Sequence, residues 1–134
     1  GEDKDFVSTL ITVDYENVGN WAEDQHIGYT TYVDLSQKPQ VYDLIKIDVQ
    51  RVNQYLTEDM KIRKFVNLHK EFDADDAELT RSGKIRRKFM EDRYQELIQS
   101  IYSGQDQYEV VASVKYRDGR VGSIKTQVKI EKVA

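Results

Sequence analysis

Apolar residues recur along the chain with two different periods, and these periods divide it into predicted strands and helices. Segment 6–13 (FVSTLITV) is rich in β-branched residues and predicts a buried or half-buried strand. A second strand is predicted over 62–68. Apolar spacings of three and four residues predict a long amphipathic helix over 39–56 and another over 89–102. Ser103-Gly104 is predicted to end the latter helix.

A shorter helix is predicted between the first strand and the long helix. Asp14 can cap its start through the side-chain carboxylate, and Gly28 marks a break soon after it. Its apolar face consists of Val18, Trp21 and Ala22. Segment 29–36 is ambiguous between extended and loop-like structure. Pro39 suits the first turn of the helix that follows, where its missing N–H has no cost.

The last thirty residues predict a β-hairpin over 108–132, with Asp118-Gly119 as the turn signal. Keeping the apolar residues of both strands on one face predicts a three-residue loop or a bulge near 119–122. The pairs predicted on this basis are Val114 with Ile124, Val110 with Val128, and Tyr108 with Ile130. The whole chain, 1–134, is therefore predicted to be one α+β domain. It has a small mixed sheet with helices packed on its faces and is closed by the C-terminal antiparallel hairpin.

Composition narrows the class of protein. The 134 residues suit a single domain, and 24 acidic against 20 basic residues give a net charge of -4, which argues against a dedicated nucleic-acid binder. There is no cysteine, so disulfides and thiolate metal sites are excluded. His26 and His69 lie far apart in sequence, and no metal site is predicted. No apolar run approaches the roughly 20 residues that a transmembrane helix needs, so no membrane-spanning segment is predicted.

The segment 73–88 carries the candidate chemistry, because four acidic residues are followed by five basic ones. Ser82-Gly83 permits a tight turn that presents Lys84, whose ammonium suits a phosphate or carboxylate. Positive charge just before a helix is unfavourable for its dipole, which indicates a role other than stability. The residues alone leave three interpretations open: a solvated surface, an anion-binding lysine, or a patch over 81–88 that binds an acidic partner or nucleic acid. No P-loop pattern is present.

Residues Thr80 to Arg87 read T-x-S-G-K-I-x-R, which resembles the C-terminal lysine motif of the adenylate-forming superfamily. Acyl-CoA synthetases, adenylation domains of peptide synthetases and luciferases belong to that superfamily. Further segments resemble its bacterial long-chain fatty-acyl branch, so the resemblance covers nearly the whole chain. These segments are 20–23, 29–32, 35–39, 78–80, 89–94 and 116–120.

The resemblance implies the mobile C-terminal (lid) domain of an AMP-forming long-chain fatty-acid–CoA ligase. Such enzymes form an acyl-adenylate from a fatty acid and ATP with Mg, and then transfer the acyl group to coenzyme A. By the resemblance, Lys84 is the catalytic residue and contacts the reacting carboxylate and the α-phosphate. Gly83 would shape the loop, and Thr80 and Arg87 would belong to its adenylate-binding part. Arg81 and Arg86 would orient the loop or pair with the other domain.

The rest of such an enzyme has no counterpart in these residues, since the phosphate loop and the other ATP-site motifs of the family are absent. The resemblance implies that the hinge and the first strands of the C-terminal domain precede Gly1. The expected partner is the N-terminal adenylation domain of the same parent chain. ATP, fatty acid and coenzyme A would be substrates of the full-length enzyme and would not bind this chain alone. The isolated chain is expected to be inactive, and the expected location is the cytoplasm, free or peripheral at the inner face of the membrane.

Overall fold

A computed structural model of the chain describes residues 6–70, 87–115 and 118–133. Four strands lie in these ranges: β1 Val7–Ile11, β2 Ile62–Asn67, β3 Gln107–Lys115 and β4 Val121–Lys132. Five helices accompany them: α1 Tyr15–Asp24, α2 Tyr32–Ser36, α3 Pro39–Asn53, α4 Arg87–Arg93 and α5 Gln95–Tyr102. The predicted α+β class is confirmed.

The four strands form one mixed sheet in the order β1-β2-β4-β3. β1 is parallel to β2, and β4 is antiparallel to both β2 and β3. A parallel pair requires a long crossover connection, which α1, α2 and α3 provide between β1 and β2. The predicted combination of a mixed sheet and a C-terminal antiparallel hairpin is therefore present.

Helices cover both faces of the sheet, as the alternation along β2 requires. Phe65 points to the face covered by α3, and Val66 points to the face covered by α4 and α5. The buried residues on the α3 face are Tyr42, Val49, Phe65 and Val133. Those on the opposite face are Val66, Leu68, Met90, Tyr94, Leu97, Ile101, Val128 and Ile130. The apolar stripe of α5 is thus core, as predicted, and so is that of α3 at Val41, Ile45 and Val49.

A third cluster joins the first three helices. Asp14 caps α1 as predicted, with its carboxylate accepting a hydrogen bond from the N–H of Asn17 at 3.1 Å. α1 packs so closely on Tyr29 that a Cβ at Gly19 would lie 2.6 Å from the tyrosine hydroxyl oxygen. The buried members of this cluster are Val13, Ala22, Leu35 and Val41.

Part of the ambiguous segment 29–36 is helical, so the extended and loop interpretations were wrong for the residues of α2. Thr31 caps this short helix, because its hydroxyl oxygen accepts a hydrogen bond from the N–H of Asp34 at 3.2 Å. Val33 and Leu35 are buried on the two sides of the helix. α2 therefore owes its stability to burial and to its cap.

The long helix α3 ends at Asn53, three residues before the predicted end. The Asn53 side chain pairs with both backbone groups of Ile62: its Nδ2 donates to the carbonyl oxygen at 2.9 Å, and its Oδ1 accepts from the N–H at 2.8 Å. This contact fixes the end of the helix against the start of β2. Val52, near that end, is 50% exposed, so nothing in the core requires the helix to continue.

The single helix predicted over 89–102 is two helices, α4 and α5, that meet at Tyr94. Tyr94 has φ -103° and ψ 20°, outside the helical region, although no glycine or proline marks the break. The break lets the two helices and the residue between them bury side chains in the same cluster: Met90 from the first helix, Tyr94 from the junction, and Leu97 and Ile101 from the second helix. α5 ends at Tyr102, as Ser103-Gly104 predicted, and Gly104 has a positive φ of 86°.

The hairpin has the predicted faces but not the predicted register. Tyr108 pairs with Val128, Ala112 with Ile124 and Lys115 with Val121, without a bulge in the ladder. The predicted pairs were wrong by two residues. Because side chains alternate with a period of two, this shift keeps every side chain on its predicted face. The connection between the last paired residues, 116–120, has five residues, so the predicted three-residue loop or bulge was wrong. It contains Gly119, whose φ is 88°.

Candidate functional site

The predicted catalytic segment lies in the connection between β2 and α4. Thr80, Gly83 and Lys84 lie outside the described residues, as does the rest of 71–86. Arg87 is the first residue of α4, and its backbone is described. The structure therefore defines the two ends of the connection that carries Lys84, and the roles of its residues stay predictions.

The C-terminal end of this connection is fixed by α4. Met90, six residues after Lys84 in sequence, is only 6% exposed and belongs to the cluster under α5. The guanidinium of Arg93 lies 5.9 Å from the ring centre of the buried Tyr94. Lys88 is exposed on the same helix. The residues that follow the lysine motif are thus held on the body of the domain.

The N-terminal end is fixed by polar contacts at Asn67, the last residue of β2, which is fully buried. Its N–H donates to the Tyr42 hydroxyl at 3.1 Å, and its carbonyl oxygen accepts from Gln37 Nε2 at 2.7 Å. Its side-chain Nδ2 donates to the Ser36 carbonyl oxygen at 3.2 Å. Sequence patterns did not identify Asn67 or its partners Ser36, Gln37 and Tyr42 as a contact group. The available signal was a polar residue inside the apolar run 65–68 of a central strand.

A cleft of about 390 Å³ lies beside the junction of α4 and α5, against β3. Its lining residues include three carboxylates and one guanidinium. The charged or titratable members are His69, Asp92, Arg93, Glu96, Tyr108 and Glu109. This excess of negative charge would repel phosphates, so the cleft is a poor candidate for an ATP or coenzyme A site.

Tyr108 illustrates the acidic character of this cleft. Its hydroxyl donates a hydrogen bond to Glu96 Oε2 at 2.8 Å. This bond raises the pKa of Tyr108 above its ordinary value, with partial burial and the negative charge of Glu96 acting in the same direction. Tyr108 therefore remains a protonated donor near neutral pH and offers no base or nucleophile there.

Neither histidine is part of a metal site in the described part of the chain. His26 is exposed and adopts a positive φ of 59°, and His69 is half-buried just after β2, so both lie at the surface or a strand end as predicted. Among residues 6–70, 87–115 and 118–133, no three side chains suited to a metal ion lie together. The described residues thus supply no ligand set for magnesium. No helix within the same ranges is long and apolar enough to cross a membrane.

Glu131 on β4 has the clearest electrostatic role in the described part of the chain. Its carboxylate lies 2.7 Å from Lys129 Nζ and 3.4 Å from Lys46 Nζ of α3, and its side chain is 13% exposed. Burial alone would raise the pKa of Glu131, but the hydrogen bonds and charges of Lys129 and Lys46 outweigh it and lower that pKa. These contacts connect α3 to the sheet at the end of the hairpin.

Because the pKa of Glu131 is lowered by folding, its contribution to stability is present above the ordinary carboxyl pKa. That contribution is lost as the pH falls through the lowered value. We expect Glu131→Gln to reduce the free energy of unfolding at pH 7 by about 0.5–1 kcal/mol, the scale of a partly exposed ion pair. Urea unfolding at pH 7 and pH 3 measures the change in the free energy of unfolding. Glu109→Gln is the control, because Glu109 is exposed on β3. An equal loss of stability at both pH values would contradict the stabilising role of the Glu131 carboxylate.

Comparison with known proteins relates the chain to one group of enzymes. No protein-family model matches it, and no solved structure matches it. The chain is 30% identical over 104 residues to the long-chain-fatty-acid–CoA ligase FadD15 of Mycobacterium tuberculosis. The protein of the same name from Mycobacterium bovis matches with the same identity over the same length. The aligned region covers 77% of this chain and 17% of each relative.

This similarity relates most of the chain, distantly, to part of a long-chain-fatty-acid–CoA ligase. The chain spans a small part of the curated relatives it matches, since only 17% of their length is covered. A coarse relation to ligases of this class therefore agrees with the resemblance of the lysine motif.

Proposed function

We propose that this chain is the mobile C-terminal domain of an ATP-dependent, AMP-forming long-chain fatty-acid–CoA ligase. In this proposal residues 1–134 form one domain that lacks the hinge and the first strands. Its partner is the N-terminal adenylation domain of the same parent chain. Its contribution to the reaction is Lys84, which stabilises formation of the acyl-adenylate.

The observation that carries the proposal is the 30% identity to a long-chain-fatty-acid–CoA ligase over 77% of the chain. That relative is named for joining a long-chain fatty acid to coenzyme A. The motif over Thr80 to Arg87 supports the same class.

The chemistry suits a positioned ammonium. When a fatty-acid carboxylate attacks the α-phosphate of ATP, negative charge accumulates on the reacting oxygens. A cation placed beside those oxygens lowers the barrier, because it is more strongly attracted to the transition state than to the separated reactants. Lys84 would provide this cation, Gly83 the tight turn before it, and Thr80 and Arg87 contacts to the adenylate.

The surroundings of the connection are compatible with such a role. It begins after the buried end of β2 and ends at α4, which is fixed by Met90. Both ends therefore belong to packed elements, which is what precise placement of a catalytic side chain requires. The acidic cleft near α5 does not suit ATP or coenzyme A, and the proposal places their site in the other domain.

The half-reaction that tests the proposal is exchange of labelled pyrophosphate into ATP in the presence of palmitate. We expect the full-length protein that carries this chain to catalyse palmitate-dependent exchange. We expect residues 1–134 alone to give none, because the groups that hold ATP and the acid are absent. Robust exchange by residues 1–134 would contradict the assignment to a C-terminal domain. Absence of exchange by the folded full-length protein would contradict the ligase assignment itself.

A further inference from the structure

β3 is an outer strand of the described sheet, so it pairs with β4 on one side only. The ladder shows which of its backbone groups face β4. The Ile130 N–H donates to the Asp106 carbonyl oxygen at 2.8 Å, and the next pair but one along the register is Tyr108 with Val128. Bonded and non-bonded residues alternate along an antiparallel pair, so Tyr108 and Val110 form the backbone bonds to β4.

The residues between them direct their backbone N–H and C=O groups away from the sheet. On β3 these residues are Gln107, Glu109 and Val111. Lys129, opposite Gln107, agrees with this alternation, because its N–H bonds to Gln37 on the far side of β4. Within the part of the chain that the structure describes, no hydrogen bond occupies the outward groups of these three β3 residues. They form an open edge of the sheet.

The acidic cleft of about 390 Å³ lies along this edge. Four consecutive residues of β3, 108–111, line it. Successive side chains of a strand point to opposite faces, so a cleft on one face would be lined by alternate residues only. Lining by all four therefore places the cleft at the edge itself, opposite the junction of α4 and α5. Its volume falls in the range of about 300–1,000 Å³ that is usual for ligand sites.

The edge has few of the features that normally prevent an outer strand from pairing with another chain. Such features include prolines, lysines and bulges. β3 contains no proline, its only charged residue before Lys115 is Glu109, and its ladder with β4 has no bulge. Val111 is 63% exposed and adds apolar surface at the same place. An edge of this kind can accept a further strand through its backbone groups.

The charge of the cleft selects the kind of strand. Asp92 and Glu96 line it from the helices and Glu109 from β3, against one guanidinium, that of Arg93. The Tyr108 hydroxyl holds the Glu96 carboxylate beside the strand at 2.8 Å. A segment with lysine or arginine is attracted to these carboxylates, and an acidic segment is repelled. Pairing with the β3 of a second copy is disfavoured, because it would bring two acidic clefts together.

We propose that the outer edge of β3 binds an extended, basic peptide segment of a partner protein, which adds to the sheet as a further strand. Hydrogen bonds to the backbone of Gln107, Glu109 and Val111 supply the affinity for an extended chain. The carboxylates of the cleft, Glu96 among them, supply the preference for lysine or arginine. None of these contacts involves Lys84, so the site does not depend on the proposed function.

The test measures binding of a fluorescein-labelled peptide to the full-length protein by fluorescence anisotropy. The peptide has about six residues, the usual length of a strand, with valine and lysine in alternation. We expect saturable binding that weakens as salt is added. A peptide with glutamate in place of lysine should bind at least about 10-fold more weakly. Methylation of alternate backbone nitrogens of the lysine peptide removes donors to the edge and should weaken binding about 10-fold.

Val111→Pro tests the edge from the side of the protein. It removes one outward N–H and places a ring at the edge, and it takes no hydrogen bond from the pairing with β4. We expect the affinity for the lysine peptide to fall by at least about 10-fold. Val121→Pro is the matched control, because Val121 is 72% exposed on β4, opposite Lys115, and by the same alternation directs its N–H away from β3. This control should keep the affinity of the parent.

A charge variant decides the question if Val111→Pro does not fold. Glu96→Gln combined with Glu109→Gln alters two exposed side chains and keeps their size. We expect it to weaken binding of the lysine peptide by about 3- to 20-fold, the scale of two exposed ion pairs. Unchanged affinity in this variant would overturn the preference for a basic segment.

Further outcomes overturn the proposal. Equal affinity for the lysine and glutamate peptides, or binding of neither, does so, as does parental affinity in folded Val111→Pro. If spermine or the N-methylated peptide binds as tightly as the lysine peptide, the cleft is a site for small cations and strand addition is wrong. If sedimentation shows a dimer that Val111→Pro dissociates, a second copy occupies the edge and the proposal fails. All of these outcomes leave the ligase assignment unchanged, since pyrophosphate exchange tests it separately.

Discussion

Replacing Phe65 by alanine is expected to lower the free energy of unfolding of the 134-residue chain by about 3–5 kcal/mol, the usual cost of removing a buried phenylalanine. Phe65 lies in β2, a central strand of the sheet, and none of its surface is exposed. It is a core member of the cluster under α3, where its ring stacks on Tyr42. Its removal leaves a cavity between the sheet and the longest described helix.

A loss of this size is a large share of the stability of a domain, which is commonly about 5–15 kcal/mol. Urea unfolding followed by circular dichroism measures it. The control is Val111→Ala, because Val111 is a hydrophobic residue of β3 that is 63% exposed and should change stability by less than about 0.5 kcal/mol. If the two variants lost the same amount, the described core would be wrong.

Most of the sheet and the long helix α3 could be predicted because their apolar residues keep a regular period over many positions. β1, β2 and α3 follow from β-branched runs and from apolar spacings of three and four. The hairpin register differed by two residues, since parity of the apolar positions fixes the face of each strand but not the pairing. Only turn geometry distinguishes registers that share a face.

The elements that were missed depend on single contacts. α2 has only five residues, and its local signal was the Thr31 cap with Asp34 three residues later. The break between α4 and α5 at Tyr94 has no glycine or proline and comes from tertiary packing. The contacts of Asn67 with Ser36, Gln37 and Tyr42 depend on side chains far apart in sequence, although Asn67 in an apolar strand was a usable signal.

The candidate site was predicted from a different kind of information. Periodicity and charge identify Lys84 only as a lysine that follows a Ser-Gly turn in an acidic-to-basic segment. The catalytic role proposed for Lys84 rests on the resemblance of Thr80 to Arg87 to a family motif. The described structure adds the packed ends of the connection, which sequence patterns could not provide.

Lys84→Ala in the full-length protein should lower acyl-adenylate formation by about 10²–10³-fold, the usual cost of removing one electrostatic contact to a transition state. The ammonium would act only while negative charge accumulates between carboxylate and α-phosphate. The second half-reaction, thioester formation from supplied acyl-adenylate and coenzyme A, should therefore persist. Lys88→Ala is the matched control, because Lys88 is an exposed lysine four residues later, on α4. It should leave both half-reactions unchanged.

The ratio of these two half-reactions in Lys84→Ala is the measurement that tests the assignment most directly. A selective loss of palmitate-dependent pyrophosphate exchange, with thioester formation retained and Lys88→Ala unaffected, is the predicted result. Equal loss of both half-reactions, or loss of neither, would contradict the catalytic role of Lys84 in acyl-adenylate formation.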